Sequence, residues 1–219
     1  MRRLIVLTIL CAPLAGIAQM QSAAGQAHAL FERDWEWRLR HQPELATTVG
    51  DHRFDDSLSD TTTAACRAAV EHERDMLSAI RAIDRDKLAG QDRISWDLFV
   101  DDKERKLATA QFSPCDPYPV TFLNALPVTL PRLVAQMPLR TEEDYRRYLA
   151  RIGALPRHVD GLIEQMRDGM RTGWTAPKAV VRPVPAMLRE MREGLVSGAL
   201  AAPFRAIPAT IDKEVREEL

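Results

Sequence analysis

Between residues 113 and 138 the chain holds six prolines, at positions 114, 117, 119, 127, 131 and 138. Proline has no amide donor and fixes φ, so neither a long regular helix nor a central strand runs through such a segment. The filling is nevertheless apolar: Val120, Phe122, Leu123, Leu126, Val128, Leu130, Leu133 and Val134. That combination predicts an ordered, extended crossover packed against its neighbours, not a loose linker. It also divides the chain into two stretches that must each be built from something else.

Both stretches carry the helical period. Leu30, Phe31, Trp35 and Leu39 share one side of a helix over residues 27–41, which Pro43 ends. Residues 50–56 form an acidic, irregular loop. Cys66, Ala69, Val70, Met76, Leu77, Ile80 and Ile83 recur at three- and four-residue spacing over residues 61–83, with Asp60 or Thr61 as N-cap. After Gly90 a third helix carries Ile94, Leu98, Phe99 and Leu107 inward, with the run Asp101, Asp102, Lys103, Glu104, Arg105 and Lys106 as a solvated far side. Thr141-Glu142-Glu143-Asp144 opens another helix with a capping box. Tyr145, Tyr148, Leu149, Ile152 and Leu155 line its face, and Pro156 kinks it or opens the next. Val159, Leu162, Ile163, Met166 and Met170 continue the stripe, and Val184, Met187, Leu188, Met191 and Leu195 form one more. These methionines read as core. Residues 212–219 are charged, helix-forming and uncapped, so the chain is expected to stop inside a helix. No strand alternation and no repeat occurs: the expected fold is all-α, a multi-helix array with the proline-rich crossover.

Composition adds boundaries. The 219 residues suit one domain or slightly more, and 46% hydrophobic with 28% charged residues is a globular balance. Thirty basic against 31 acidic residues and 6% aromatics give neither the positive field nor the stacking platform of a nucleic-acid binder. Met1-Arg2-Arg3 followed by an apolar run from Leu4 to Ala18 reads as a signal peptide. The run would reach only ~22 Å as a helix, short of a membrane span. Cleavage after Ala18, or as late as Ala27, leaves residues 19–219 as a helical unit exported to the periplasm or beyond. Without Arg2 and Arg3 the 30 basic residues become 28 against 31 acidic ones, a formal charge of −3. Cys11 raises lipidation, against which the bulky Leu10 speaks. Cys66 and Cys115 would then meet an oxidising compartment, where either a disulfide or two separately buried thiols satisfy the sequence.

No catalytic or metal-binding residue is assigned. His72-Glu73 opens as a zinc helix would, but Met76 stands where the second histidine belongs, so His72 reads as structural. Asp51, His52, Asp55 and Asp56 lack the glycine-centred spacing of a calcium loop and read as turn and capping groups. No nucleophile elbow or phosphate loop is present. Trp174, in the Gly173-Trp174-Thr175-Ala176-Pro177-Lys178 loop, is the exposed-aromatic candidate for ligand contact.

Three ordered blocks bear on function. They are Trp35-Glu36-Trp37 through Pro43-Glu44-Leu45-Ala46-Thr47-Thr48 to Arg53, then Glu143-Asp144-Tyr145 with Tyr148 to Leu155-Pro156, and Ile163 to Met170 followed by Gly173 to Val181. Together they resemble the bacterial domain of unknown function 885 family. That family is in turn similar to helical gluzincin-type zinc metallopeptidases such as the carboxypeptidase Taq group. The resemblance implies that this chain is the N-terminal part of a larger, exported, metallopeptidase-like hydrolase. Its zinc would sit on a His-Glu element and a downstream acid in a missing C-terminal half, so this chain would hold no cofactor. The expected role is a wall or lid of a peptide-binding cleft, with Gly173, Trp174, Pro177 and Lys178 as possible contacts. Its partners would be the missing half and a peptide substrate, with no nucleic acid and no stable membrane span. The alternative is a non-catalytic periplasmic helical module that binds a partner.

Overall fold

The computed structural model describes residues 22–113, 115–194 and 198–219, so the signal-peptide and Cys11 readings lie outside the described residues. These residues are helical, with no strand among them. The helices are α1 (Ala23–His41), α2 (Pro43–Thr48), α3 (Thr63–Arg81), α4 (Gly90–Ala110), α5 (Leu126–Val134), α6 (Glu142–Gly153), α7 (Leu155–Thr172), α8 (Lys178–Val181), α9 (Val184–Glu193) and α10 (Lys213–Glu218). The array is all-α, as its periodicity predicts.

The caps follow from local chemistry, with two shifts. The Ser22 hydroxyl accepts from Gly25 N and starts α1 four residues before the expected position. Thr62 caps α3, not Asp60 or Thr61; Asp60 instead accepts from Thr62 N at 3.0 Å. That bond, before all others, holds the Asp60 carboxyl below its usual range. Thr141 and Asp144 form the capping box of α6 reciprocally. Pro156 falls in the first turn of α7, where a missing N–H costs nothing.

The proline-rich segment contains a helix after all. Pro127 occupies the first turn of α5, and Pro131 removes one internal bond, which a helix of 9 residues tolerates. The extended crossover is thus confined to the stretch before α5.

α3 and α4 make the most extensive helix pairing, and α1 lies against both. Ala27, Leu30, Met76, Leu77, Ile80 and Ile83 form their shared core, with Phe31, Trp96 and Phe99 packed against it. A second core joins Val134, Met137 and Tyr148 to Ile152, Leu200 and Phe204. Cys66 and Cys115 are disulfide-bonded, with 5.2 Å between Cα atoms, and tie the crossover to the first turn of α3.

The charged face of α4 departs from its reading. Lys103 is 0% exposed, while Ile94 and Leu98, expected inside, are 53% and 63% exposed. The cause is a set of carboxylates on the neighbouring helices. Lys103 Nζ lies 2.8 Å from Asp34 Oδ2 and 2.7 Å from Glu73 Oε2, and 4.6 Å from the Phe99 ring centroid. His72 Nε2 meets Asp34 Oδ1 at 2.8 Å, and the His72 ring stacks on Trp37 at 3.8 Å. Trp35, expected inward, is exposed, and Trp37 takes the packed position instead.

Candidate functional site

α7 ends at Thr172, and Gly173 turns the chain with φ of 83°, a left-handed value that suits glycine. The turn folds back so closely that a Cβ on Gly169 would strike the Trp174 carbonyl oxygen. Two glycines thereby fix the exit of the Gly173-to-Lys178 loop. Pro177 then caps the short α8, and α9 follows directly.

This geometry makes a cleft of about 390 Å³. Met166 and Met170 of α7, with Trp174, form one side. Pro117, Pro119 and Val120 of the crossover face them, and Val181 and Pro185 complete the lining. Phe122 N donates to Val180 O at 2.9 Å and joins the crossover to α8. Met170 is 73% exposed, Trp174 43% and Met166 40%. The two methionines are therefore surface groups, contrary to their reading as core. The helical period finds an apolar stripe but cannot say whether another element covers it. Phe112, 65% exposed, has its ring 6.3 Å from that of Trp174.

Lys178 and Arg182, four residues apart, both line this cleft and are exposed. Of the loop residues singled out in the sequence, Trp174 and Lys178 thus line the cleft, whereas Gly173 and Pro177 shape the backbone beside it. Val181, Arg182, Pro185 and the crossover prolines carry no motif that marks them. Only the fold brings them together.

Two other cavities carry charged or polar side chains among their lining. One of about 530 Å³ lies between α3 and α4, where Lys106 bridges Glu73 at 3.1 Å and Asp102 at 2.8 Å. Burial opposes the charge on Asp102, but the Lys106 hydrogen bond and the fields of Lys106 and Lys103 hold its carboxyl below the usual range. The other, about 390 Å³, runs beside Trp37, Pro43, Asp60, Cys66 and Cys115.

The zinc implied by the resemblance does not fit the residues present. Among the described residues no three His, Cys, Asp or Glu side chains gather as a metal would need. His72 is committed to Asp34, His52 Nδ1 to Asp55 Oδ2 at 2.9 Å, and His158 Nδ1 donates to Ser59 O at 2.9 Å. Asp55, part of the acidic loop, is buried and accepts from Thr47 Oγ1 at 2.5 Å. Asp51 accepts from Arg53 N at 3.1 Å, a turn-capping contact.

The three blocks sit at distinct places in this fold: α1 with α2, α6 into the first turn of α7, and the α7-to-α8 cleft. The profile of the family described as "Bacterial protein of unknown function (DUF885)" matches residues 43–219. The chain belongs to the DUF885 family. No curated protein and no solved structure matches it. The DUF885 match includes the whole of the cleft and both cysteines. Among the described residues no helix is long and apolar enough to cross a membrane.

Proposed function

We propose that this chain supplies one wall of a peptide-binding cleft in an exported DUF885 protein. Any hydrolytic centre would be contributed from outside the described residues. The observation that carries this reading is the exposed apolar cleft of Met166, Met170 and Trp174 against Pro117, Pro119 and Val120, with Lys178 and Arg182 on its lining. Exposed aromatic and thioether side chains in one concavity fit an extended apolar segment, since they offer area and adaptable shape. The two cations suit a carboxylate on that segment. The same role follows from what the sequence resemblance implies, a relation to helical gluzincins, whose N-terminal helices wall a substrate groove.

Export is part of the proposal. Arg2-Arg3 and the apolar run support it, and the Cys66–Cys115 bond suits an oxidising compartment. Cleavage after Ala18 fits better than after Ala27, which would remove the Ser22 cap and the fully buried Ala27 from α1.

The test is the affinity of a dansylated peptide of the type Ala-Phe-Glu-Leu for the oxidised chain. Saturable binding is expected, weakened about tenfold or more in Trp174→Ala, the loss of ~1.4 kcal/mol of contact. The same chain is expected to cleave no peptide when zinc is added. Zinc-dependent hydrolysis would overturn the assignment of chemistry elsewhere, and binding indifferent to Trp174 would overturn the cleft. A second reading, a non-catalytic binding module, rests on the same cleft, which can hold a segment without any chemistry. Peptide hydrolysis by the protein purified from its native source would exclude it.

A further inference from the structure

We infer that the Cys66–Cys115 bond is a reducible latch: thiol–disulfide exchange with a small dithiol frees the crossover and opens the cleft. The consequence for the cleft rests on the binding reading above, whereas the release of the crossover does not.

The bond joins two walls that otherwise have little between them. Cys66 lies in the first turn of α3, which is fixed to α7: Thr61 Oγ1 donates to His158 O at 2.6 Å, and Gln165 donates to Thr61 O. α7 carries Met166 and Met170. Cys115 opens the crossover that supplies Pro117, Pro119 and Val120 on the opposite side. Inside the crossover the hydrogen bonds are local, from Tyr118 N to Asp116 Oδ1 at 2.8 Å and from Asn124 Nδ2 to Tyr118 O at 3.2 Å. Pro117 and Pro119 have no N–H to give. The next bond to another element is Phe122 N to Val180 O. One wall of the cleft is thus anchored by a disulfide at one end and one backbone hydrogen bond at the other.

The sulfurs are within reach of solvent. Both cysteines are half-buried and line the cavity beside Trp37 and Asp60, and Cys115 lines the α3–α4 cavity as well. A thiolate of the dithiol attacks Cys115 Sγ and forms a mixed disulfide as the Cys66–Cys115 bond breaks. The electron pair leaves on Cys66 Sγ, which Gln165 Nε2 faces as a donor at 3.7 Å, and solvent protonates it. The second thiol of the reductant then displaces Cys115, closing the reductant's own disulfide. Two electrons and two protons pass to the protein, which ends with two thiols.

The experiment follows hydrogen exchange by mass spectrometry, with and without dithiothreitol, on the full oxidised chain. In parallel, 8-anilinonaphthalene-1-sulfonate, an apolar anion, serves as the cleft probe. Reduction is expected to yield two titratable thiols, to speed exchange in residues 115–122 about tenfold or more, and to weaken the probe to the same degree, while α1, α3 and α6 keep their protection. Cys66→Ser/Cys115→Ser should show the reduced pattern without reductant. Thiols that stay blocked, a crossover equally protected when reduced, or loss of protection throughout the chain would each overturn the latch. Probe binding unchanged by reduction while the crossover loosens would overturn the gating. Probe binding indifferent to Trp174→Ala would instead fault the cleft reading and leave the released crossover standing.

Discussion

The α1–α3–α4 unit and the α7–α8 cleft invert each other. In the first, a lysine is 0% exposed among three carboxylates; in the second, a methionine is 73% exposed with a tryptophan beside it. Burying Lys103 is tolerable because Asp34, Glu73 and Asp102 lie within ion-pair distance and Phe99 offers its ring face. Exposing Met170 and Trp174 loses hydrophobic stabilisation of the isolated chain, a loss that a bound segment would recover. One region uses its unusual residues to specify how three helices register. The other keeps them where they can meet something else.

The sharpest way to break this contrast is Lys103→Met. The substitution keeps the volume and removes the cation that Asp34 and Glu73 share, leaving Asp34 with His72 and Glu73 with Lys106. Removing one member of a buried ion group costs about 3–5 kcal/mol, so urea unfolding should shift by that amount. A shift below ~1 kcal/mol, as for exposed pairs, would mean the cluster behaves as a surface network. Arg151→Met should come next. Arg151 is 2% exposed and donates to Ser57 O at 2.8 Å, Thr47 Oγ1 at 2.9 Å and Phe54 O at 2.7 Å, pinning α6 to the acidic loop. Burial pushes the guanidinium pKa down, against the fields of Asp55 and Glu44, so the group is held by its acceptors. Losing them should cost about 3 kcal/mol.

Much of this was legible in the sequence, and the misplaced side chains share one cause. Periodicity located the helices, and the Thr141–Asp144 box set an end correctly because caps are local chemistry. The same reasoning placed Lys103 outside and Met166 and Met170 inside. Charge type and apolar stripe report a residue's preference, whereas its actual surroundings come from distant elements: Asp34 is 69 residues from Lys103. Pro131 within α5 was likewise invisible, since a single lost bond in a short helix is settled by packing of Leu130, Leu133 and Val134. Gly173 to Lys178 could be singled out as a block, but the crossover wall opposite it required the fold.

A smaller effect separates the second core from the cleft by pH. Tyr148 is 1% exposed, its hydroxyl donates to Leu200 O at 2.7 Å, and burial pushes its pKa up to about 12. The unfolded chain releases that proton near ~10. The raised folded value means that this contribution is complete below ~10 and is lost progressively as pH climbs from there through about 12. Urea stability should therefore fall more steeply above pH ~10 in the parent chain than in Tyr148→Phe. The variant itself should lose about 1 kcal/mol at neutral pH through the missing hydrogen bond. Equal alkaline slopes in the two proteins would place the Tyr148 hydroxyl in water.

The smallest change in stability should come from a residue that matters to binding. Met170 is 73% exposed, so truncating it to alanine removes little buried area, whereas Trp174, at 43%, is more than half covered. Exposed substitutions of this kind stay within about 0.5 kcal/mol, and Met170→Ala should leave the urea midpoint almost unmoved. Its affinity for the dansylated peptide should nevertheless fall, as for Trp174→Ala. Lys103→Met, measured beside it below its own unfolding midpoint, should do the reverse: a large loss of stability with affinity retained. That crossed pattern separates a cleft kept for a ligand from a core kept for the fold. If Met170→Ala instead cost several kcal/mol, Met170 would be packed against an element in solution, and the cleft would be closed before any peptide arrived.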